Sequence, residues 1–162
     1  MLLLMGAVGP AIEARAALSP GDAAPDLTGF ELDGKLPARL RGKVLVLDFW
    51  ASWCGPCARS FPVLDALQKQ HGHEMLEVIA VSVDEKAGPM ETFLKKHPVS
   101  FAVVRDARQK LVAKADVKAM PTTFVIDRKG KVRFVHSGFD EGKTQKELGT
   151  QIETLLKEKY ED

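Results

Sequence analysis

Cys54 and Cys57 are the only cysteines among 162 residues, and they lie three positions apart. On the first turn of a helix, residues at i and i+3 share a face, so the sulphurs can close a small disulfide ring and attack each other's mixed disulfides. Neither can tie distant parts of a fold together, which leaves redox chemistry or a metal as their use. Within Trp53-Cys54-Gly55-Pro56-Cys57, Gly55 permits tight backbone geometry. Pro56 suits a first helical turn, where its missing N–H would have had no partner. Cys54 is then left at the helix N-terminus, where free amides and the positive end of the helix dipole favour a thiolate. It is the expected nucleophile, and Cys57, one turn deeper, the expected resolving thiol.

The resolving thiol must lose a proton before it can act. Asp48 stands six residues before Cys54 in a context too apolar for a solvated carboxylate. Burial would raise its pKa and make it a proton acceptor for Cys57; the alternative is a carboxylate that merely ends a strand. Trp53, at the mouth of the cysteine turn, reads as a surface platform for a partner. Met120-Pro121-Thr122-Thr123-Phe124 puts a proline at the start of a buried strand, where no ladder donor is needed; trans is the sequence-level default for its peptide bond. A metal reading is short of ligands, since zinc takes about four and no second CxxC or Cys/His pair occurs at ligand spacing. His71, His73, His97 and His136 sit in polar contexts and read as solvated surface residues. No metal and no cofactor is expected.

The elements that must carry these residues follow from the hydrophobic pattern. Val44-Leu45-Val46-Leu47-Asp48-Phe49 is an apolar run with β-branched residues, as in a strand buried on both faces and central in its sheet. From Pro56 to Gly72, Phe61, Leu64 and Leu67 recur at helical spacing, with a kink expected at Pro62. A second buried strand is expected over Leu76–Val83, a short helix over Pro89–Lys96, a strand over Phe101–Val104 and a helix over Ala107–Ala115. Thr122–Ile126 and Lys131–His136 read as a hairpin across Asp127-Arg128-Lys129-Gly130. Lys143–Lys159 closes the chain as an amphipathic helix bearing Leu148, Ile152, Leu155 and Leu156. The stretch around Phe30–Lys35 looks like a lead-in hairpin. Strands alternating with helices imply a mixed α/β sheet covered on both faces.

Composition narrows the partners. With 23 basic and 22 acidic residues spread along the chain, there is no electrostatic footprint for nucleic acid. The length suits a single domain over residues 17–162. Residues 1–16 read as a signal peptide: an apolar run from Leu2, then Ala14-Arg15-Ala16 as a small-x-small cleavage pattern before Ala17, although a basic start is missing. A membrane span would need about 20 apolar residues, and no such run occurs.

Taken together, Val46 to Cys57 resembles the active-site strand and helix of thioredoxins. Ala24-Pro25-Asp26-Leu27, Val81-Ser82-Val83-Asp84 followed by an extra helix and strand, and Met120-Pro121-Thr122-Thr123 are similar to the TlpA/ResA/CcmG group of exported, usually membrane-tethered relatives. The resemblance covers about residues 20–158. It implies a thioredoxin fold with an N-terminal hairpin and a central helix–strand insertion. It also implies a cis Pro121 beside the cysteines, a Met120 backbone that pairs with an extended substrate segment, and an Asp48 that matches the buried aspartate of thioredoxins. In this chain Ser60 stands where many of the group carry an acid. By gapless count, Ala80 falls on or near the position of the lysine that partners the thioredoxin aspartate, so Asp48 should be held neutral more strongly.

The implied activity is an extracytoplasmic disulfide reductase, acting as a monomer on proteins with cysteine pairs or disulfides and fed by a membrane thiol relay. Apocytochrome c or a copper-site assembly protein is the substrate class the group suggests. Two alternatives stay open: a disulfide donor or isomerase, and a Cu(I) metallochaperone using Cys54, Cys57 and Met120 or a histidine. A peroxidase reading, prompted by the lead-in, lacks the threonine, proline and single cysteine those enzymes use.

Overall fold

The computed structural model describes residues 17–161. The signal-peptide expectation for residues 1–16 lies outside them. Six strands form one sheet: β1 (Asp33–Gly34), β2 (Val44–Trp50), β3 (Leu76–Ser82), β4 (Ala102–Arg105), β5 (Thr122–Ile126) and β6 (Val132–Ser137), in spatial order β1-β4-β3-β2-β5-β6. Four helices cover it: α1 (Gly55–Met75), α2 (Ala87–Lys96), α3 (Lys110–Ala115) and α4 (Lys143–Lys157). β2 runs parallel to β3 and antiparallel to β5, so it is central, as its unbroken apolar run requires.

Successive side chains of β2 enter opposite cores. Val44, Val46 and Trp50 join α1, α4 and Phe93 of α2. Leu45, Leu47 and Phe49 join Leu27, Leu111 and Ala115 on the other face. Asp48 shares the parity of Val46 and Trp50, so its carboxyl lies on the face covered by the cysteine helix. Fully burying an aliphatic or aromatic side chain of this kind stabilises by about 1.5–3 kcal/mol. The insertion of α2 and β4 contributes to the same core: Trp50, Phe61 and Phe93 pack with ring centroids 4.6–5.3 Å apart, and Phe101 reaches Phe61 at 5.3 Å. The core beneath α1 is therefore rich in aromatic rings.

Several expectations need correction. The lead-in forms no hairpin of its own: β1 pairs antiparallel with β4, and Ala23 bridges to Lys131. Gly34 makes the first pairing possible, because its φ of +120° is left-handed and a Cβ there would lie 2.9 Å from the Val103 carbonyl. In α1, the break in helical dihedrals falls at Gly72 (φ 70°, ψ 158°) rather than at Pro62. Pro62 keeps helical dihedrals, whereas Gly72 adopts a left-handed φ and leaves one short turn, residues 73–75, before β3. His136 is not a solvated surface residue: its side chain is 12% exposed and lies against α4, with Nε2 2.8 Å from Gln151 Oε1. The remaining helices and strands lie where the pattern puts them, within a few residues at their ends.

Candidate active site

Cys54 caps α1 and Cys57 sits one turn inside it. The two are joined in a disulfide, with Cα atoms 5.3 Å apart. Both are buried, Cys54 at 5% and Cys57 at 0% exposure, so the outer sulphur is the one a partner can reach. The Cys57 N–H donates to Cys54 Sγ at 3.2 Å. That amide is one of the helix's free donors, and its aim at Cys54 favours negative charge on this sulphur. Pro56 occupies the first turn, where it withholds a donor without breaking a helical bond. Gly55 meets no backbone need inside the chain: it is helical without positive φ, and a Cβ built on it meets nothing within 4 Å. The position faces open space. Trp53 stands 73% exposed just ahead of the helix.

Beneath the helix, Asp48 is completely buried. Across the sheet it registers with Ala80 on β3 and Thr123 on β5. Ala80 brings no cation, which agrees with the count from the sequence. The Thr123 hydroxyl donates to Asp48 Oδ1 at 2.6 Å, while Oδ2 has no hydrogen-bond partner. Loss of water outweighs that one bond and pushes the Asp48 carboxyl up to about 7 from its ordinary 3.8. Such a group can take a proton near neutral pH and give it back. Ser60, in place of the usual acid, is buried and its hydroxyl donates to the Cys57 carbonyl at 3.0 Å.

The Met120–Pro121 peptide is cis. Pro121 is buried and its carbonyl accepts the Gly138 N–H at 2.7 Å, while half-buried Met120 packs against both cores. The Thr122 hydroxyl holds the Ala119 carbonyl at 2.8 Å, which fixes the turn ahead of the proline. Neither threonine's partner is evident from the sequence alone. The signal was there: two adjacent hydroxyls at the head of a buried strand must each find a partner.

The comparisons with known proteins meet this geometry directly. Residues 19–152 match the redoxin family model. This chain belongs to the redoxin family, among its thiol-disulfide oxidoreductases. It is 34% identical to the thiol-disulfide oxidoreductase ResA of Geobacillus thermodenitrificans over 85% of this chain and 83% of that protein. The ResA of Bacillus subtilis is 35% identical over 75% and 69% of the two chains. Among solved structures, a Chlorobium tepidum protein assigned as the thiol:disulfide interchange protein DsbE superposes with a TM-score of 0.79. It is 40% identical and aligns over 86% of this chain and 99% of its own.

Proposed function

We propose that this protein reduces disulfides in exported proteins, with Cys54 as nucleophile, Cys57 as resolving thiol and Asp48 as proton acceptor. The observation that carries the reading is one juxtaposition: a cysteine pair at the open end of α1 above a buried, cation-free carboxyl on the same face of the sheet. From the reduced pair, the Cys54 thiolate attacks one sulphur of a partner disulfide; a mixed disulfide forms and a partner thiolate leaves. Cys57 gives its proton to Asp48 and its thiolate attacks Cys54 Sγ. The second partner thiolate leaves and takes up a proton, two electrons have moved to the partner, and the Cys54–Cys57 disulfide remains. A membrane thiol relay then restores the dithiol.

Trp53, Gly55, Pro56, Met120 and Pro121 form the docking surface around the sulphurs. Met120 offers its backbone to an extended segment of the partner, a mode of recognition that needs few side-chain contacts. Location in the extracytoplasmic space, removal of residues 1–16 as a signal, a monomeric state and a substrate in cytochrome c maturation or copper-site assembly complete the proposal. They are supported by the N-terminal pattern and by likeness to ResA and DsbE proteins.

The test is trapping in cells with Cys57→Ser, which stops the reaction at the mixed disulfide. Exported proteins with cysteine pairs should be recovered, attached through Cys54. Recovery of cytoplasmic partners alone, or attachment that survives Cys54→Ser, would sink the proposal. Stoichiometric Cu(I) binding by the reduced protein without turnover of a protein disulfide would instead favour a metallochaperone.

A further inference from the structure

Asp84 is a buried carboxylate, 4% exposed, that the exchange steps above do not use. It lies just beyond β3, at the base of the helix–strand insertion. Its Oδ1 accepts the Ser52 hydroxyl at 2.6 Å, and its Oδ2 accepts the Ser52 N–H at 3.0 Å and the Ser82 hydroxyl at 2.7 Å. The Ser82 hydroxyl in turn accepts the Asp84 N–H at 3.1 Å. A carboxylate withdrawn from water persists where its oxygens are satisfied, and this one commits most of that capacity to a single residue two positions before Cys54.

Ala51, at the start of that stretch, is buried in the core, but Ser52 and Trp53 beyond it are not. Trp53 points outward, so packing of its ring does not fix the loop. Two backbone bonds frame it: Val83 N–H to the Trp50 carbonyl at 2.9 Å, and Cys54 N–H to the Ala51 carbonyl at 3.1 Å. Among the described residues, Asp84 accepts the side-chain hydrogen bonds that residues 51–53 donate, both from Ser52. The end of β3 thus grips the turn that places Cys54 Sγ against the Cys57 N–H and Trp53 at the rim.

We infer that Asp84 is a positioning residue for thiol–disulfide exchange: clamped to Ser52, it holds Cys54 at the helix end in attack geometry and presents Trp53 to the partner. The inference rests on Cys54 being the nucleophile. If the clamp is released, Cys54 leaves the donors that favour its thiolate and the in-line approach to a partner sulphur. Misplacement of a reacting group by about 1 Å can cost a hundredfold in rate.

The experiment measures insulin-disulfide reduction and the pH profile of Cys54 alkylation for the wild type, Asp84→Ala, Asp84→Asn, Ser52→Ala and the Ser52→Ala/Asp84→Ala double variant. Asp84→Ala should lower kcat/KM about tenfold or more and move the alkylation midpoint upward. Loss of a nearby negative charge alone would move that midpoint downward, so a downward or absent shift overturns the inference. Asp84→Asn keeps an acceptor for Ser52 and should regain more than half of the logarithmic loss; an Asn variant no better than Ala overturns it as well. Ser52→Ala, which keeps the N–H bond, should show a loss of about twofold to threefold. The double variant should be no worse than Asp84→Ala, and additive losses would refute a shared clamp. Should Asp84→Ala fail to fold, unchanged rate and midpoint in Ser52→Ala decide against the inference. Alkylation that persists in Cys54→Ser would instead bring down the nucleophile assignment, which keeps the two failures apart.

Discussion

Asp48 and Glu77 are buried carboxyls on neighbouring central strands, and the fold treats them in opposite ways. Glu77, near the start of β3 and 3% exposed, is partnered by the Lys43 ammonium, with Nζ at 3.4 Å, and by the His73 ring, with Nδ1 at 2.9 Å. Asp48 lies nearer the cysteine end of the sheet, with Ala80 across from it, one threonine hydroxyl and an oxygen left unpartnered. A buried charge with partners secures structure, whereas a buried carboxyl without them is kept near its titration point at a cost in stability. The end of the sheet away from the cysteines is neutralised for stability. The cysteine end carries a buried carboxyl with no cation beside it, which costs stability.

The comparison breaks most completely if the cysteine end is not the chemical end. Cys54→Ser should abolish insulin-disulfide reduction, and Cys57→Ser should accumulate mixed disulfides visible on non-reducing gels; swapped phenotypes would reverse the two roles. Next in size is Asp48→Asn. The folded carboxyl sits near 7 and the unfolded one near 3.8, so the folded state holds the extra proton between those values and its stability falls as pH rises through that window. Removing the ionisable group should therefore stabilise the protein by up to about 4 kcal/mol at pH 8, and by little at pH 4, in denaturant titrations. The same variant should slow resolution of mixed disulfides and erase the rise in that rate through about pH 7. A stability profile parallel to the wild type would remove Asp48 from both arguments.

Glu77→Ala should have the opposite sign, destabilising by about 3 kcal/mol at neutral pH because it strands Lys43, whose side chain is 14% exposed. Exchange activity of the folded fraction should stay intact; a loss of turnover there would blur the contrast between the two ends. The smallest effect belongs to Trp53→Ala. With 73% of the residue exposed, its stability should change by less than about 0.5 kcal/mol. Activity on protein disulfides should still fall severalfold while activity on small disulfides holds, and equal losses on both would argue against a docking platform.

Much of this site can be read in the chain itself. The Cys-x-x-Cys spacing requires a shared helical face, the apolar run around Asp48 requires burial, and an exposed Trp53 follows from its place ahead of the helix. These are local properties, set by neighbours within one or two turns. Long-range pairing is not legible in the same way. Phe30–Lys35 has the composition of a turn, but whether Gly34 closes on its own neighbours or on Val104 depends on a strand some 70 residues away in sequence. His136 has polar neighbours in sequence and an α4 cover in space.

Asp84 is the sharpest case of that difference. As one letter in Val81-Ser82-Val83-Asp84 it ends a strand, and its use becomes visible when β3 lies parallel to β2 and brings its carboxyl to Ser52. The sequence by itself determined which groups could exchange disulfides, because that chemistry needs two thiols one helical turn apart. The tertiary structure decided which carboxyl lies on the face beneath their helix without a cation, and which carboxyl grips their loop. Those are relations between strands that no local pattern specifies.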